Sequence, residues 1–307
     1  MPKPVDTLLV YARPSIAFKM EALRKLVAEA AVLSLDLWWH SSLCEILAEC
    51  FPDLKPRFFD PGEPCPDSIQ GKKEQALVLT LGGDGTLLDA VQFAVEWGLP
   101  VFGFHLGRLG FLSSAGGPED FATALSAIHR GEIEIERRSL VECRYPKEGI
   151  GADEPQGFAF ALNEIALQRQ GGGLMRLTCD VDGDNLNHYQ ADGLLISTPT
   201  GSTAYSMSCG GPIILPQSRV FLITPVAGHQ LGIRPVILPD TCILRLTTPL
   251  EGAACNLMMD GKSLDWRGHG ALEIRRYEKN LALARLKGYS DFQPLKTKLL
   301  WGLDLRG

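Results

Sequence analysis

Three short stretches carry residue types that could do chemistry. The first is Gly82-Gly83-Asp84-Gly85-Thr86. Glycines let an anion approach the backbone closely, and the amides at a helix start, with the helix dipole behind them, favour a phosphate. Asp84 is the unusual member, because a carboxylate repels a phosphate unless it has a task. Two tasks fit: general base towards a hydroxyl, or partner of a Mg²⁺ ion carried by a nucleotide. The second stretch is residues 192–208, where Asp192, Thr203, Ala204, Tyr205, Ser206 and Ser208 put carboxylate, hydroxyl and aromatic functions in one run. Such a set suits a sugar or a nucleobase. The third is Asn163-Glu164, an amide and a carboxylate inside an apolar segment (Ala159, Ala161, Ile165, Leu167), where both must find polar partners. Adjacent ribose hydroxyls would satisfy them.

Residues 8–11 and 76–81 read as buried strands, and residues 101–104 as a third. The glycine stretch lies between the second of these and a helix at 87–97 closed by Gly98, the strand-turn-helix context that a phosphate cradle requires. Residues 15–37 carry helical spacing, and the Pro- and Gly-rich residues 52–71 read as a loop. Strand, helix, strand in that order implies a parallel, Rossmann-like α/β domain. Gly116-Gly117-Pro118 is the strongest boundary signal. A helix at 119–130 follows, and then short β-rich segments recur to residue 286, which predicts an antiparallel, sandwich-like domain. The C-terminal stretch, 292–303, returns to helical spacing. The expected organisation is an α/β domain over 1–117, completed by 287–307, and an all-β substrate domain over 118–286.

The glycine stretch is neither a Walker A loop, since no G-x-x-x-x-G-K-[ST] occurs, nor a dinucleotide fingerprint, since Leu88 stands at the third glycine. With a formal net charge of −6, the chain lacks the basic footprint of a nucleic-acid binder, and Arg137-Arg138 and Arg275-Arg276 read as solvated strand ends. Eight cysteines without a C-x-x-C pair and six histidines without ligand spacing offer no protein-held metal site. The thiols read as reduced, mostly buried groups of a cytoplasmic protein, and no apolar run is long enough to span a membrane.

Taken in order, the motifs resemble those of the NAD kinases. Residues 82–86 match that family's Gly-Gly-Asp-Gly motif, residues 103–112 (with Arg108) its strand-and-loop signature, Asn163-Glu164 its Asn-Glu pair and residues 192–208 its long signature. Ile223-Thr224-Pro225 with His229, Arg234 and Pro235, and Asp260-Gly261, resemble later segments, so that the likeness runs from about Val78 to Trp301. Gly-Gly-Asp-Gly is shared with lipid kinases and phosphofructokinases; the 192–208 stretch discriminates better. The resemblance implies transfer of the γ-phosphate of ATP to the 2′-hydroxyl of the adenosine ribose of NAD, with Mg²⁺ or another divalent cation accompanying ATP. It implies that Asp84 is the general base, with Gly85 at the phosphates and Gly82, Gly83 and Thr86 among the residues that bind substrate or nucleotide. Asn163 and Glu164 would hold ribose hydroxyls, and Asp192, Thr203, Ala204, Tyr205, Ser206 and Ser208 would line the dinucleotide pocket. A homodimer or homotetramer is the family's implied assembly. The chain departs from the pattern at Gly228-His229-Gln230-Leu231, Lys262 and Gly171-Gly172-Gly173, which bears on fine specificity. The rival readings are a lipid or sphingoid-base kinase, which needs an apolar cleft, and a non-catalytic NAD(P) sensor.

Overall fold

The computed structural model describes residues 3–107, 109–146, 157–249, 255–266 and 270–300; Arg108, His269 and Trp301 lie outside the described residues. The chain divides into two compact units, Met1–Arg137 with Leu281–Gly307, and Arg138–Asn280. The division falls after Arg137 and not at Gly116-Gly117-Pro118, for a packing reason. The helix following that turn buries Phe121, Leu125 and Ile128 in the same core as Leu8, Leu23 and Phe104, with the Phe104 and Phe121 rings 4.6 Å apart.

In the first unit, β1 (Thr7–Ala12), β2 (Asp36–His40), β3 (Arg57–Phe59), β4 (Ala76–Gly82) and β5 (Val101–His105) form a parallel sheet in the order β5-β4-β1-β2-β3. The two central strands are continuous apolar runs because both their faces are covered. Around them lie α1 (Met20–Val32), α2 (Cys44–Cys50), the single turn α3 (Asp67–Gln70), α4 (Asp84–Trp97) and α5 (Phe121–His129). Two expectations need correction here. The helix predicted over 15–37 stops at Val32, since Ser34 takes φ 55°, and Leu37 belongs to β2. The predicted loop at 52–71 contains β3, an edge strand of the parallel sheet.

The second unit is a pair of antiparallel sheets. Its strands are β6 (Ile133–Tyr145, which begins in the first unit), β7 (Gly157–Ala161), β8 (Glu164–Arg169), β9 (Met175–Val181), β10 (Asp184–Ala191), β11 (Gly193–Ser197), β12 (Val220–Val226), β13 (Val236–Pro239), β14 (Leu244–Thr248), β15 (Cys255–Met259), β16 (Lys262–Ser263) and β17 (Gly270–Leu286). One sheet contains β10-β9-β14-β17 with β6 and β7, and the other runs β13-β12-β11-β8-β15-β16. Alternate residues of the two inner faces, among them Leu177, Leu194, Ile223 and Leu257, make the core between them. The α/β domain followed by an antiparallel two-sheet domain is the fold class expected from sequence. Of β17, the part pairing Ile274 with Leu244 belongs to the second unit, and the part placing Leu283 beside Val101 belongs to the first. Two helices complete the fold, α6 (Tyr205–Ser208) and α7 (Phe292–Leu299). Among the described residues no helix is long and apolar enough to cross a membrane.

Two further readings of the sequence are revised. Asn163 does not lie mid-strand: the chain bends at Leu162-Asn163, and β8 begins at Glu164. Nor are the arginine pairs all solvated ends. Arg138 is buried, Arg275 bonds Glu142 at 2.5 Å, and Arg276 bonds the buried Asp240 at 2.9 Å.

Candidate active site

In the first unit the site is made by the end of β4 and the start of α4. The apolar run 76–81 stays buried to Leu81, and two glycines then reverse the chain into the helix. Gly82 is dictated by close approach, because a Cβ there would overlap the Thr86 hydroxyl. Gly83 caps α4 without a side chain, and its carbonyl accepts from Thr86 N (2.9 Å) and Leu87 N (3.3 Å). The amides of Asp84 and Gly85, the first two of the helix, have no preceding helix carbonyl to bond and face its N-terminal end. A cleft of about 390 Å³ opens on this turn, lined by Arg13, Lys19, Gly82, Gly83, Thr86 and Gly107 among others. Arg13 is fixed at its wall, with Nε 2.7 Å from Asp89 and Nη2 donating to Gly85 O at 2.9 Å.

Asp84 opens α4, and its carboxylate is held from outside the helix. Phe111 N donates to Oδ2 at 2.8 Å and Leu112 N to Oδ1 at 3.1 Å. Lys298 Nζ, on α7, stands 4.0 Å from Oδ2 and 4.3 Å from the centre of the Phe111 ring. Gly110 lets the loop come this close, since a Cβ there would overlap the Asp84 carboxylate. The side chain remains 28% exposed, so a reactant can reach the carboxylate's unused lone pairs. The glycine-loop residues predicted from sequence are thus together. Gly110 falls within the 103–112 stretch singled out in the sequence, whereas Arg13, Lys19 and Lys298 carry no local signal, because they meet the loop only through the fold.

The second unit gathers the other predicted residues. Asp260, in a left-handed turn at φ 45°, accepts three successive amides: Leu162 N (2.9 Å), Asn163 N (2.8 Å) and Glu164 N (3.1 Å). The Asn-Glu bend is therefore shaped by a carboxylate almost a hundred residues further along the chain. Burial pushes the Asp260 carboxyl upward, and the three amides oppose this. Glu164 is 6% exposed, and its Oε2 is buried with no hydrogen-bond partner among the described residues. Burial first, then the neighbouring Asp260, push its carboxyl up to about 8. Ser197, the cross-strand partner of Glu164, and Thr200 also carry buried hydroxyls without a partner among the described residues. Unsatisfied buried groups collected at one place call for a ligand or ordered water.

Residues 198–208 wrap this bend. Thr198 donates through Oγ1 to Leu162 O (2.5 Å) and through N to Asn163 O (2.9 Å), and Gly201 abuts Asn163 so closely that a Cβ would overlap its carbonyl. Thr203 and Ala204 are half-buried, and Tyr205 and Ser208 are exposed. Ser206, assigned from sequence to the pocket, is fully buried, and its hydroxyl pairs with that of Thr224 at 2.7 Å. Asp192 bonds Arg169 Nε at 2.7 Å and lies 3.8 Å from His229 Nε2. Arg169 Nη1 in turn donates to Gly171 O (2.6 Å), so the three-glycine loop is tied to Asp192. His229 N also donates to Gln190 O of β10 at 2.8 Å, which ties its turn to that strand.

No group of three or more His, Cys, Asp or Glu side chains placed to hold a metal ion occurs among the described residues. Among the described residues, the glycine loop offers such an ion the accessible carboxylate of Asp84. It fits an ion brought by a nucleotide, whose phosphates supply most of the ligands, and not an all-protein cage.

Comparison with known proteins adds an independent line. The family model described as ATP-NAD kinase N-terminal domain matches residues 70–133, and that described as ATP-NAD kinase C-terminal domain matches residues 162–286. The NAD kinase of Porphyromonas gingivalis is 34% identical over 276 residues, 89% of this chain and 85% of that protein. That of Cytophaga hutchinsonii is 36% identical over 233 residues, 75% and 77% of the two chains. Among solved structures, yeast NADH kinase complexed with NADH superposes with a TM-score of 0.82 at 25% identity, covering 99% of this chain and 90% of that one. An NAD kinase from Archaeoglobus fulgidus in complex with ATP shares the fold at a TM-score of 0.63 and 24% identity, covering 96% and 98%.

Proposed function

Because the chain belongs to the NAD kinase family, we propose that it transfers the γ-phosphoryl group of ATP to the 2′-hydroxyl of the adenosine ribose of NAD, giving NADP and ADP. The observation that carries this reading is the Asp84 carboxylate, fixed by two loop amides at the first turn of a glycine-capped helix and still open to a reactant.

Phosphoryl transfer asks little covalent chemistry of a protein; it needs alignment and neutralisation of charge. The first-turn amides of α4, with Arg13 and Lys19 in the same cleft, supply positive potential for the donor's phosphates. Asp84 takes the proton of the 2′-hydroxyl as that oxygen bonds to the γ-phosphorus and the bond to the ADP oxygen breaks. A divalent cation bound with the nucleotide would neutralise phosphate charge, and Asp84 would be the residue of this loop able to hold it. In the second unit Asn163 and Glu164 hold ribose hydroxyls, Glu164 as a protonated donor at neutral pH. Asp192, Thr203, Ala204, Tyr205 and Ser208 line the dinucleotide.

The test is direct. Purified protein with ATP, Mg²⁺ and NAD is expected to form product that an NADP-specific dehydrogenase reduces. Parallel reactions with NADH as acceptor and polyphosphate as donor define specificity. No phosphorylated dinucleotide in any combination would contradict the reading.

A further inference from the structure

We propose that Arg285 is a positioning residue for Asp84, acting through the loop that holds the carboxylate; the role rests on the reading of Asp84 as the base. Arg285 lies near the end of β17 and is 1% exposed, although it carries a permanent charge. Such a group is costly to bury unless its donors are used. Here they converge on one short segment. Nη1 donates to Leu112 O at 2.9 Å, Ser113 O at 2.6 Å and Ser114 Oγ at 3.2 Å, and Nη2 donates to Phe111 O at 3.2 Å. Nε faces Glu136 at 3.5 Å, and the guanidinium carbon lies 4.2 Å from the centre of the Tyr289 ring. Ser114 is fixed in addition through its hydroxyl, which donates to Ala284 O at 2.6 Å.

Two of the three residues whose carbonyls Arg285 takes, Phe111 and Leu112, are the two whose N–H groups hold Asp84. This segment is neither helix nor strand, so it has no ladder of its own to fix the direction of those amides. The planar fork of an arginine is suited to gripping several carbonyls in one fixed geometry, and a lysine is not. Arg285 therefore sets the orientation of the Phe111 and Leu112 amides, and these set the carboxylate. A shift of about 1 Å in a reacting group can cost on the order of a hundredfold in rate, so a residue touching no substrate can govern turnover.

The experiment is a double-mutant cycle on the full-length protein with Arg285→Lys and Asp84→Asn, reading kcat, both KM values and thermal unfolding. Arg285→Lys is expected to lower kcat at least tenfold with KM for NAD and for ATP changed by less than about threefold, the signature of lost alignment and not of lost binding. In the Asp84→Asn background the same substitution is expected to do almost nothing more, because the carboxylate it positions is already gone. Wild-type kcat in folded Arg285→Lys, or an equal fold-loss in both backgrounds, overturns the proposal. Failure of the base reading itself would show separately, as near-normal turnover in Asp84→Asn alone. If Arg285→Lys does not fold, Tyr289→Leu, which removes the ring beside the guanidinium, is put through the same cycle and is expected to give a smaller loss with the same non-additivity.

Discussion

The two units each present a carboxylate that the proposed reaction uses, and they treat it in opposite ways. Asp84 is partly exposed, both its oxygens accept backbone amides, and an ammonium stands 4.0 Å away. Glu164 is sealed in, one of its oxygens meets no donor among the described residues, and a second carboxylate, Asp260, adds to the effect of burial. The first environment fixes the orientation of a carboxylate that a reactant can reach. The second keeps a carboxyl protonated near neutrality, so that it can donate a hydrogen bond. Two acids of similar intrinsic strength are thereby given different tasks by their surroundings alone.

This contrast can be broken at several points. The largest effect is expected from Gly110→Ala, whose new Cβ overlaps the Asp84 carboxylate and must displace it or the loop. Turnover should fall by about a hundredfold while NAD still binds, as steady-state kinetics and calorimetry would reveal. Next comes pH. If a protonated Glu164 donates to the substrate, KM for NAD rises in the wild type as pH passes through about 8, and stays flat in Glu164→Gln. The same group links pH to stability. Its carboxyl is raised from an ordinary 4.5 to about 8 in the folded protein, so the stability due to the neutral form is complete below 4.5 and is lost as pH climbs through 8. The melting temperature of Glu164→Gln should therefore gain on the wild type across that window, and a difference independent of pH would remove Glu164 from this role. The smallest effect is expected from Ser206→Ala. It breaks the buried bond to Thr224, should cost roughly 1 kcal/mol of stability by chemical denaturation, and should leave kcat within about twofold. A large rise in KM for NAD would return Ser206 to the pocket.

How much of this was legible in the sequence differs along the chain for physical reasons. The β4 turn into α4 was readable because a long apolar run ends abruptly at glycines, as a buried strand does when it feeds a helix N-terminus. β2 and β10 carry no such signal. The first, Asp36–His40, is half-buried and follows a helix whose apolar spacing continues past its true end, and the second is polar and largely exposed. The end of α1 was hidden in a single left-handed residue, Ser34, where glycine would have been visible. The units do not divide at the Gly-Gly-Pro turn, which is a local signal, because the membership of α5 is decided by which core its apolar face enters.

At the candidate site the same divide holds. Asp84, Asn163 and Glu164 stood out because a polar side chain among glycines or apolar residues needs a reason. Of the residues that hold them in place, Asp260 is marked only by its resemblance to a family segment, and the others by nothing local. Arg13 meets the glycine loop across 72 residues of sequence, Asp260 meets the Asn-Glu bend across 98, and Arg285 meets the Asp84 loop across 172. Their types are unremarkable where they stand in the chain; only the fold gives them partners. Gly110 is similar, a loop glycine whose necessity becomes apparent when the carboxylate it must admit is in place.

Single-turnover transfer from γ-labelled ATP to NAD, with wild type and Asp84→Asn compared at saturating concentrations of both substrates, tests the central claim most directly. The account predicts that the variant binds NAD with nearly unchanged affinity and transfers label to the 2′ position at a rate lower by about a hundredfold or more. Transfer at close to the wild-type rate would contradict it.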